Sequence, residues 1–473
     1  MLILRTRPCL QGPSIVTWLR MRALLKTILD TIFPFTDFLW ILQKEEYETG
    51  RYLYWLRRFF FRRNFVVSEK LAYTTRAKLT LAFAVVLWVA ALVATSCVVA
   101  GHLLFWLFAV AVLALATPLF VLAANVISLP FFAAAHARAH ARAASRVAAH
   151  SPMTVIAIVG SYGKTTTKHL LYDMVRYHHR TQMVPGTINT TAGIAAWLAK
   201  DLAPATEVLI LEMDAYHAGE VAKSCAIAPP DIVIVTNIGE QHLARFKTHE
   251  ALRRALGEAV SHAKASARIV ADEATMGKVA EFMGSRAKEV VDTTRLTYEG
   301  AELEASQLSG SNRENLARVL AVAKALNIPR AFVEDTVAHF TPPARRQQRA
   351  ELYGYEAVDD SFNISLSTAR AGLAEARRLA HERHKRLLVI AAGIPELGPE
   401  QEEGNKQLGE AIANAADHTI VLGTMFAPEI ERGLGAAPHT RYARLEDFIK
   451  DRATFPPAEW VLLLEPALPD LYY

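Results

Sequence analysis

The chain has 473 residues, 52% hydrophobic and 21% charged; this suggests about three structural units and excludes a disordered, collagen-like or disulfide-stapled protein. Its three cysteines, Cys9, Cys97 and Cys225, are too scattered for a disulfide framework or a cysteine-rich zinc site. Residues 1–78 hold 14 basic and 6 acidic side chains and residues 151–473 hold 35 and 41, so the positive excess is N-terminal and no nucleic-acid-binding domain is indicated.

Residues 1–78 read as a basic, aromatic juxtamembrane region. No small-residue cleavage site follows an early apolar run, which argues against a signal peptide. Within it, Tyr52–Phe65 mixes aromatics with arginines, a pattern suited to anionic headgroups. From Leu79 to Ala137 no Asp, Glu, Lys or Arg occurs. A bilayer core needs about 20 apolar residues per helix, so two transmembrane helices are expected within 79–132, as Leu79–Ala100 and Leu103–Val126 with a turn at Gly101-His102. Lys70, Arg76 and Lys78 before this hairpin and Arg138, Arg142 and Arg146 after it place both ends in the cytoplasm. The expected location is therefore the inner membrane, multi-pass, with the large body in the cytoplasm. Residues 133–150 read as a helical stem.

Residues 151–341 carry the pattern of an α/β domain. Thr154–Val159 is a β-branched run that reads as a buried strand. Gly160-Ser161-Tyr162-Gly163-Lys164-Thr165-Thr166-Thr167 follows at once, and a helical pattern begins at Lys168. Strand, glycine turn with Lys-Thr, and helix together make a phosphate loop. Gly160 and Gly163 let backbone N–H groups close on phosphate, Lys164 reaches the terminal oxygens, and the Thr165 and Thr166 hydroxyls lie beside them, with Thr165 able to ligate Mg²⁺. The G-x-x-G-K-T spacing is shorter than usual, and the flanking elements carry the assignment to ATP. Two further strands, Glu207–Leu211 and Asp231–Val235, run into Glu212 and towards His242. Ligands of a parallel sheet sit beyond the carboxyl ends of its strands, so Lys164, Thr165, Glu212 and His242 are expected at one edge. Thr165, Glu212 and His242 are the candidate metal ligands.

Residues 342–473 show three more strand patterns, Arg386–Ala391, Thr419–Leu422 and Trp460–Leu464, as a second α/β layer requires. Cys225 and His418 read as structural, and no serine–histidine–aspartate set, zinc spacing or internal repeat occurs.

The runs IAIVGSYGKTTTKHLL (156–171), VPGTINTTAGIAAWL (184–198), LILEMDAYHAGEVAKSCAIAPPDIVIVTNIGEQHL (209–243), SNRENLARVLAVAKALNIP (311–329), VDDSFN (358–363) and AAGIPELG (391–398) resemble the Mur ligase family, the ATP-dependent amide-forming enzymes of cell-wall synthesis. The resemblance implies a P-loop central domain and a Rossmann-like C-terminal domain, preceded here by the membrane hairpin. It implies a reaction in which a carboxylate takes the γ-phosphate to give an acyl phosphate, and an amine then displaces phosphate. Carried over, Lys164 stabilises the transferred group, Thr165 and Glu212 hold one Mg²⁺, and His242 serves a second metal position. The resemblance also makes Asn312 and Asn315 adenine-side residues, sets Arg345 or its neighbour Arg346 against the phosphates, and gives Asp360 and Asn363 to the motif that brings the C-terminal domain onto the nucleotide.

The departures define the questions. Leu256 occupies the place of the family lysine that becomes a carbamate, Ile364-Ser365-Leu366 replaces the usual Ala-Asn-Pro, and a membrane hairpin stands where the uridine-nucleotide domain is expected. The expected substrates are a cell-envelope acid, membrane-held or lipid-linked, and an amino acid or dipeptide, with membrane lipid as a partner and no nucleic acid. A non-catalytic nucleotide-binding membrane scaffold is the alternative, and a membrane P-loop ATPase or kinase is a third reading.

Overall fold

The computed structural model describes residues 34–59, 71–99, 102–150, 152–305 and 308–466. The expectations for residues 1–33, and for the later part of Tyr52–Phe65, lie outside them. The chain divides into two units, Met1–Ala135 and His136–Tyr473, so the division falls inside the stretch read as a stem.

Among the described residues of the first unit the helices are α1 (Phe35–Lys44), α2 (Thr49–Phe59), α3 (Thr75–Val98), α4 (Leu103–Leu115) and the start of α5 (Thr117–Ala148). Thr74 caps α3, its hydroxyl accepting from the Ala77 N–H at 3.1 Å. By length and composition α3 and α5 could each cross a membrane, and Val86, Val93, Leu104 and Phe105 stand exposed. The expected second span, Leu103–Val126, is not one helix; it breaks at Ala116. Pro118 has no N–H to offer the Ala114 carbonyl, and the Thr117 hydroxyl donates to that carbonyl instead, at 2.7 Å. The indole N–H of Trp88 satisfies the neighbouring Leu113 carbonyl at 3.0 Å. Nor is the stem separate, because α5 runs unbroken to Ala148 with Pro130 inside it.

The second unit holds two six-stranded sheets. The first contains β1 (Thr154–Val159), β2 (Thr181–Met183), β3 (Val208–Glu212), β4 (Ile232–Val235), β5 (Arg268–Asp272) and β6 (Ala287–Val291). Their order is β2-β3-β1-β4-β5-β6, all parallel. β1 is central and buried on both faces, which is why its sequence is an unbroken apolar run. Val155, Ala157 and Val159 pack on one face with Leu209, Val233 and Leu252. Ile156 and Ile158 pack on the other with Leu170, Met174 and Leu316.

A short hairpin, β7 (Thr297–Tyr298) and β8 (Ala301–Glu302), separates this sheet from the second one. The latter contains β9 (Gln348–Leu352), β10 (Tyr355–Asp359), β11 (Arg386–Ala391), β12 (His418–Leu422), β13 (His439–Tyr442) and β14 (Trp460–Leu464). The order is β13-β12-β11-β14-β10-β9, parallel except for β9. The carboxyl ends of β10 and β14 lie side by side, with Asp359 opposite Leu464.

Candidate functional site

β1 ends at Val159, and the chain turns through Gly160 (φ 136°) and Gly163 (φ 81°) before a helix starts at Lys164. Only glycine suits these two positions. A Cβ on Gly160 would lie 2.2 Å from Thr236 Oγ1 and 2.6 Å from the Asn237 carbonyl oxygen; one on Gly163 would lie 2.6 Å from Asn315 Oδ1. The strand next to β1 pins the turn. Ser161 N–H donates to the Asn237 carbonyl at 2.8 Å, and Tyr162 N–H to the Asn237 side chain at 3.1 Å.

Four charged groups are packed at the exits of β1 and β3. Lys164 is buried, donating to the Gly160 carbonyl at 2.6 Å and pairing with Asp214 at 3.2 Å. Lys168, one turn on and fully buried, pairs with Glu212 at 3.0 Å and donates to the Gly186 carbonyl at 2.6 Å. The Thr165 hydroxyl donates to both Glu212 oxygens at 3.0 Å. Asn189 reaches Glu212 at 3.4 Å and Asp214 at 3.3 Å. Burial would raise the Asp214 carboxyl, but Lys164 and His242 outweigh it and hold the group below the usual carboxylate range.

His242 follows β4 in a left-handed conformation, φ 64°. Its Nδ1 meets Glu396 at 2.9 Å and its Nε2 lies 3.9 Å from Asp214. Burial would lower this imidazole, yet hydrogen bonds to Asp214 and Glu396 prevail and hold it above its ordinary value. Glu396 comes from the segment after β11, and its carbonyl also accepts from the Ala244 N–H at 2.9 Å. The two sheets' loops therefore meet at His242.

These groups line one cavity of about 550 Å³, shared by Lys164, Thr165, Thr166, Glu212, Asp214 and His242. Asn312 and Asn315 enter it from the helix Gly310–Ala325, and Asp360 and Asn363 from the loop after β10. Of the two arginines, Arg346 lines the cavity and lies over the Phe362 ring at 3.9 Å. Arg345 is exposed and spent on Ser361, its Nε donating to Oγ at 2.9 Å. The assignment of Arg345 to the phosphates therefore passes to its neighbour.

For a hard divalent cation the donor set is suitable: the Thr165 hydroxyl and the Glu212 and Asp214 carboxylates are oxygen ligands. Among the described residues no group of three or more His, Cys, Asp and Glu is arranged to hold a metal alone. Leu256 is buried in the apolar core with Val235 and Ala259, and the carbamate of the resemblance has no counterpart there. Two residues on, Glu258 accepts from the N–H groups of Gly219 and Ala222 at 2.7 and 3.0 Å.

The sequence reading passed over Lys168, Asn189, Asp214, Gln347 and Glu396. Asp214 carried a signal, since it stands two residues beyond a strand that already delivered Glu212.

Comparison with known proteins agrees with this geometry. Residues 158–328 match the model of the Mur ligase middle domain. The UDP-N-acetylmuramoyl-tripeptide–D-alanyl-D-alanine ligase of Mycobacterium tuberculosis is 29% identical over 302 residues, 58% of this chain and 59% of that enzyme. The Escherichia coli enzyme of the same name is 26% identical over 299 residues, 58% of this chain and 65% of its own. The chain thus spans about three-fifths of the length of the curated relatives it matches. Among solved structures, MurF from Thermotoga maritima in complex with ADP superposes with a TM-score of 0.60 at 25% identity, covering 70% of this chain and 80% of that one. MurF from Acinetobacter baumannii gives 0.62 at 21% identity, covering 70% and 77%, a likeness of fold. Residues 158–328 thus match the Mur ligase middle domain, and over about three-fifths of its length the chain is similar to UDP-N-acetylmuramoyl-tripeptide–D-alanyl-D-alanine ligases.

Proposed function

We propose that this protein is an ATP-dependent amide ligase that joins a cell-envelope acid, a peptidoglycan precursor or similar, to an amino acid or dipeptide. The observation that carries the reading is the convergence of Lys164, Glu212, Asp214 and His242 on one cavity also entered by Asp360 and Arg346. Phosphoryl transfer to a carboxylate needs chiefly position and neutralised charge. Lys164 and Arg346 supply positive charge, and the loop N–H groups at the start of the Lys164 helix receive phosphate oxygens. Thr165 and Glu212, with Asp214 beside them, would hold Mg²⁺, which when bound draws charge from the phosphates. His242, set between the Asp214 and Glu396 carboxylates, lines the cavity and adds a further cation when it is protonated. Asn312 and Asn315, which also line the cavity, are proposed to receive the base of a nucleotide.

The first unit is proposed as a hairpin in the inner membrane, with the ligase body in the cytoplasm. Support comes from the uncharged stretch Leu79–Ala137, its basic flanks, two helices of spanning length and the exposed apolar side chains on them. A membrane-held or lipid-linked acid is the substrate form that suits such an anchor. The test is phosphate release by the full chain in detergent, supplied with UDP-N-acetylmuramoyl-tripeptide or its lipid-linked form and D-alanyl-D-alanine. Release that requires both acid and amine, with a product of the condensed mass, is expected. Equal release without the amine would defeat the ligase reading.

A further inference from the structure

Asp360 and Glu465 follow β10 and β14, neighbouring parallel strands, and so leave the sheet side by side. Their backbones are fixed, Asp360 N–H on the Leu464 carbonyl and Glu465 N–H on the Ile390 carbonyl, both at 3.0 Å. Glu465 is 1% exposed and, among the described residues, neither of its carboxyl oxygens has a hydrogen-bond partner. Asp360 is 5% exposed; Oδ1 accepts from the Gln347 N–H at 3.2 Å, while Oδ2 has no partner among the described residues. The unpartnered oxygens flank one point: a Cβ on Gly372, from the facing helix Leu366–Arg383, would lie 3.1 Å from Asp360 Oδ2 and 3.4 Å from Glu465 Oε1.

Two ionised carboxylates cannot be buried there together. Arg346 faces Asp360 and favours its ionised form, Asp359 opposes it, and the charged group set against Glu465 is Asp360 itself. Burial pushes the Asp360 carboxyl up to about 7 and the Glu465 carboxyl well above the usual range. A proton resolves the conflict where a metal would not, since it needs neither a coordination sphere nor an entry path.

We propose that Glu465 is a positioning residue: it holds a proton shared with Asp360 and so keeps Asp360 in place at the nucleotide cavity. The consequence crosses the unit. Asp360 accepts from Gln347, whose side-chain oxygen accepts from the Ser309 and Ser311 hydroxyls at 3.0 and 2.6 Å. Ser309 caps the helix that carries Asn312 and Asn315. Raised carboxyls contribute their stability fully at low pH and lose it as the pH rises through the folded value. Loss of the shared proton would therefore loosen this chain of contacts on the alkaline side.

The inference rests on the reading that the cavity takes a nucleotide. Its test is the affinity of the full chain in detergent for a fluorescent ATP analogue with Mg²⁺, across about pH 6 to 9, for wild type, Glu465→Gln and Glu465→Ala, with Tm recorded for each. Wild-type affinity should fall about fivefold or more over that range. Glu465→Gln, a neutral isostere, should match wild type within about twofold at the acid end and lose most of the decline, whereas a folded Glu465→Ala should bind about fivefold more weakly there. An unchanged pH profile in Glu465→Gln, with wild type binding normally, overturns this inference alone. Wild type that binds at no pH overturns the nucleotide reading and this inference with it.

Discussion

The Thr165 hydroxyl lies 3.0 Å from each carboxylate oxygen of Glu212, joining the start of one helix to the tip of β3. Lys168, on the same helix, neutralises that carboxylate from the buried side. The proposed metal position is thus set by two residues three apart on one helix, a hydroxyl facing the cavity and an ammonium facing the core.

Removal of that ammonium should be felt in stability. Lys168→Met leaves Glu212 buried without its cation, and breaking such a pair costs about 3–5 kcal/mol. Chemical denaturation should show that loss, whereas a change below about 1 kcal/mol would mean Glu212 is compensated elsewhere.

Lys164→Ala should act on turnover. With Lys164 absent, the cavity loses the cation nearest the phosphate loop, and phosphate release with both substrates present should fall by about 10²-fold or more. Circular dichroism should show the fold retained. Near-wild-type turnover in the folded variant would remove Lys164 from the reaction.

The phosphate loop itself is tested by Gly163→Ala. The position has φ 81° and a methyl group would stand 2.6 Å from Asn315 Oδ1. Backbone strain of about 1–2 kcal/mol is expected, with nucleotide affinity reduced at least about tenfold. Unaltered affinity, measured by the same fluorescent analogue, would show that the loop does not close on phosphate.

How much of this was legible in the sequence depended on where each residue sits. β1, β11 and β14 are buried on both faces and wrote themselves as unbroken apolar runs. Lys164, Thr165 and Glu212 were found because they follow such strands. β9 and β13 are edge strands, half polar and partly exposed, and gave no comparable pattern. Which of Arg345 and Arg346 lines the cavity depends on side-chain contacts that no composition signals. Glu396, Gln347 and Glu465 reach the cavity region through the second sheet's topology, far from the phosphate loop in sequence.

His242 gives a pH prediction. Its imidazole is held above the ordinary value by Asp214 and Glu396 despite burial. A raised histidine contributes stability that is complete below its unfolded value, about 6.5, and disappears as the pH rises through the folded one. The Tm difference between wild type and His242→Gln should therefore be largest below about pH 6 and shrink on going alkaline. A difference that grows with pH would show that the ring is held neutral.

Leu256→Lys addresses the missing carbamate. The side chain at 256 is 1% exposed among apolar neighbours, so a lysine there must carry a charge into the core or lose its proton. A drop in Tm without gain in phosphate release is expected. Increased turnover would mean that the scaffold had lost its chemistry with that lysine.

The joint at Ala116 bears on how the first unit would meet a bilayer. At 1.5 Å per residue, a segment the length of α4 reaches only about 20 Å, short of a hydrocarbon layer of about 30 Å. On the proposed membrane reading the return limb would be finished by the residues after Pro118, its two pieces meeting at the break at Ala116. The Thr117 and Trp88 hydrogen bonds to the Ala114 and Leu113 carbonyls let that break occur without leaving those two acceptors bare in an apolar surrounding.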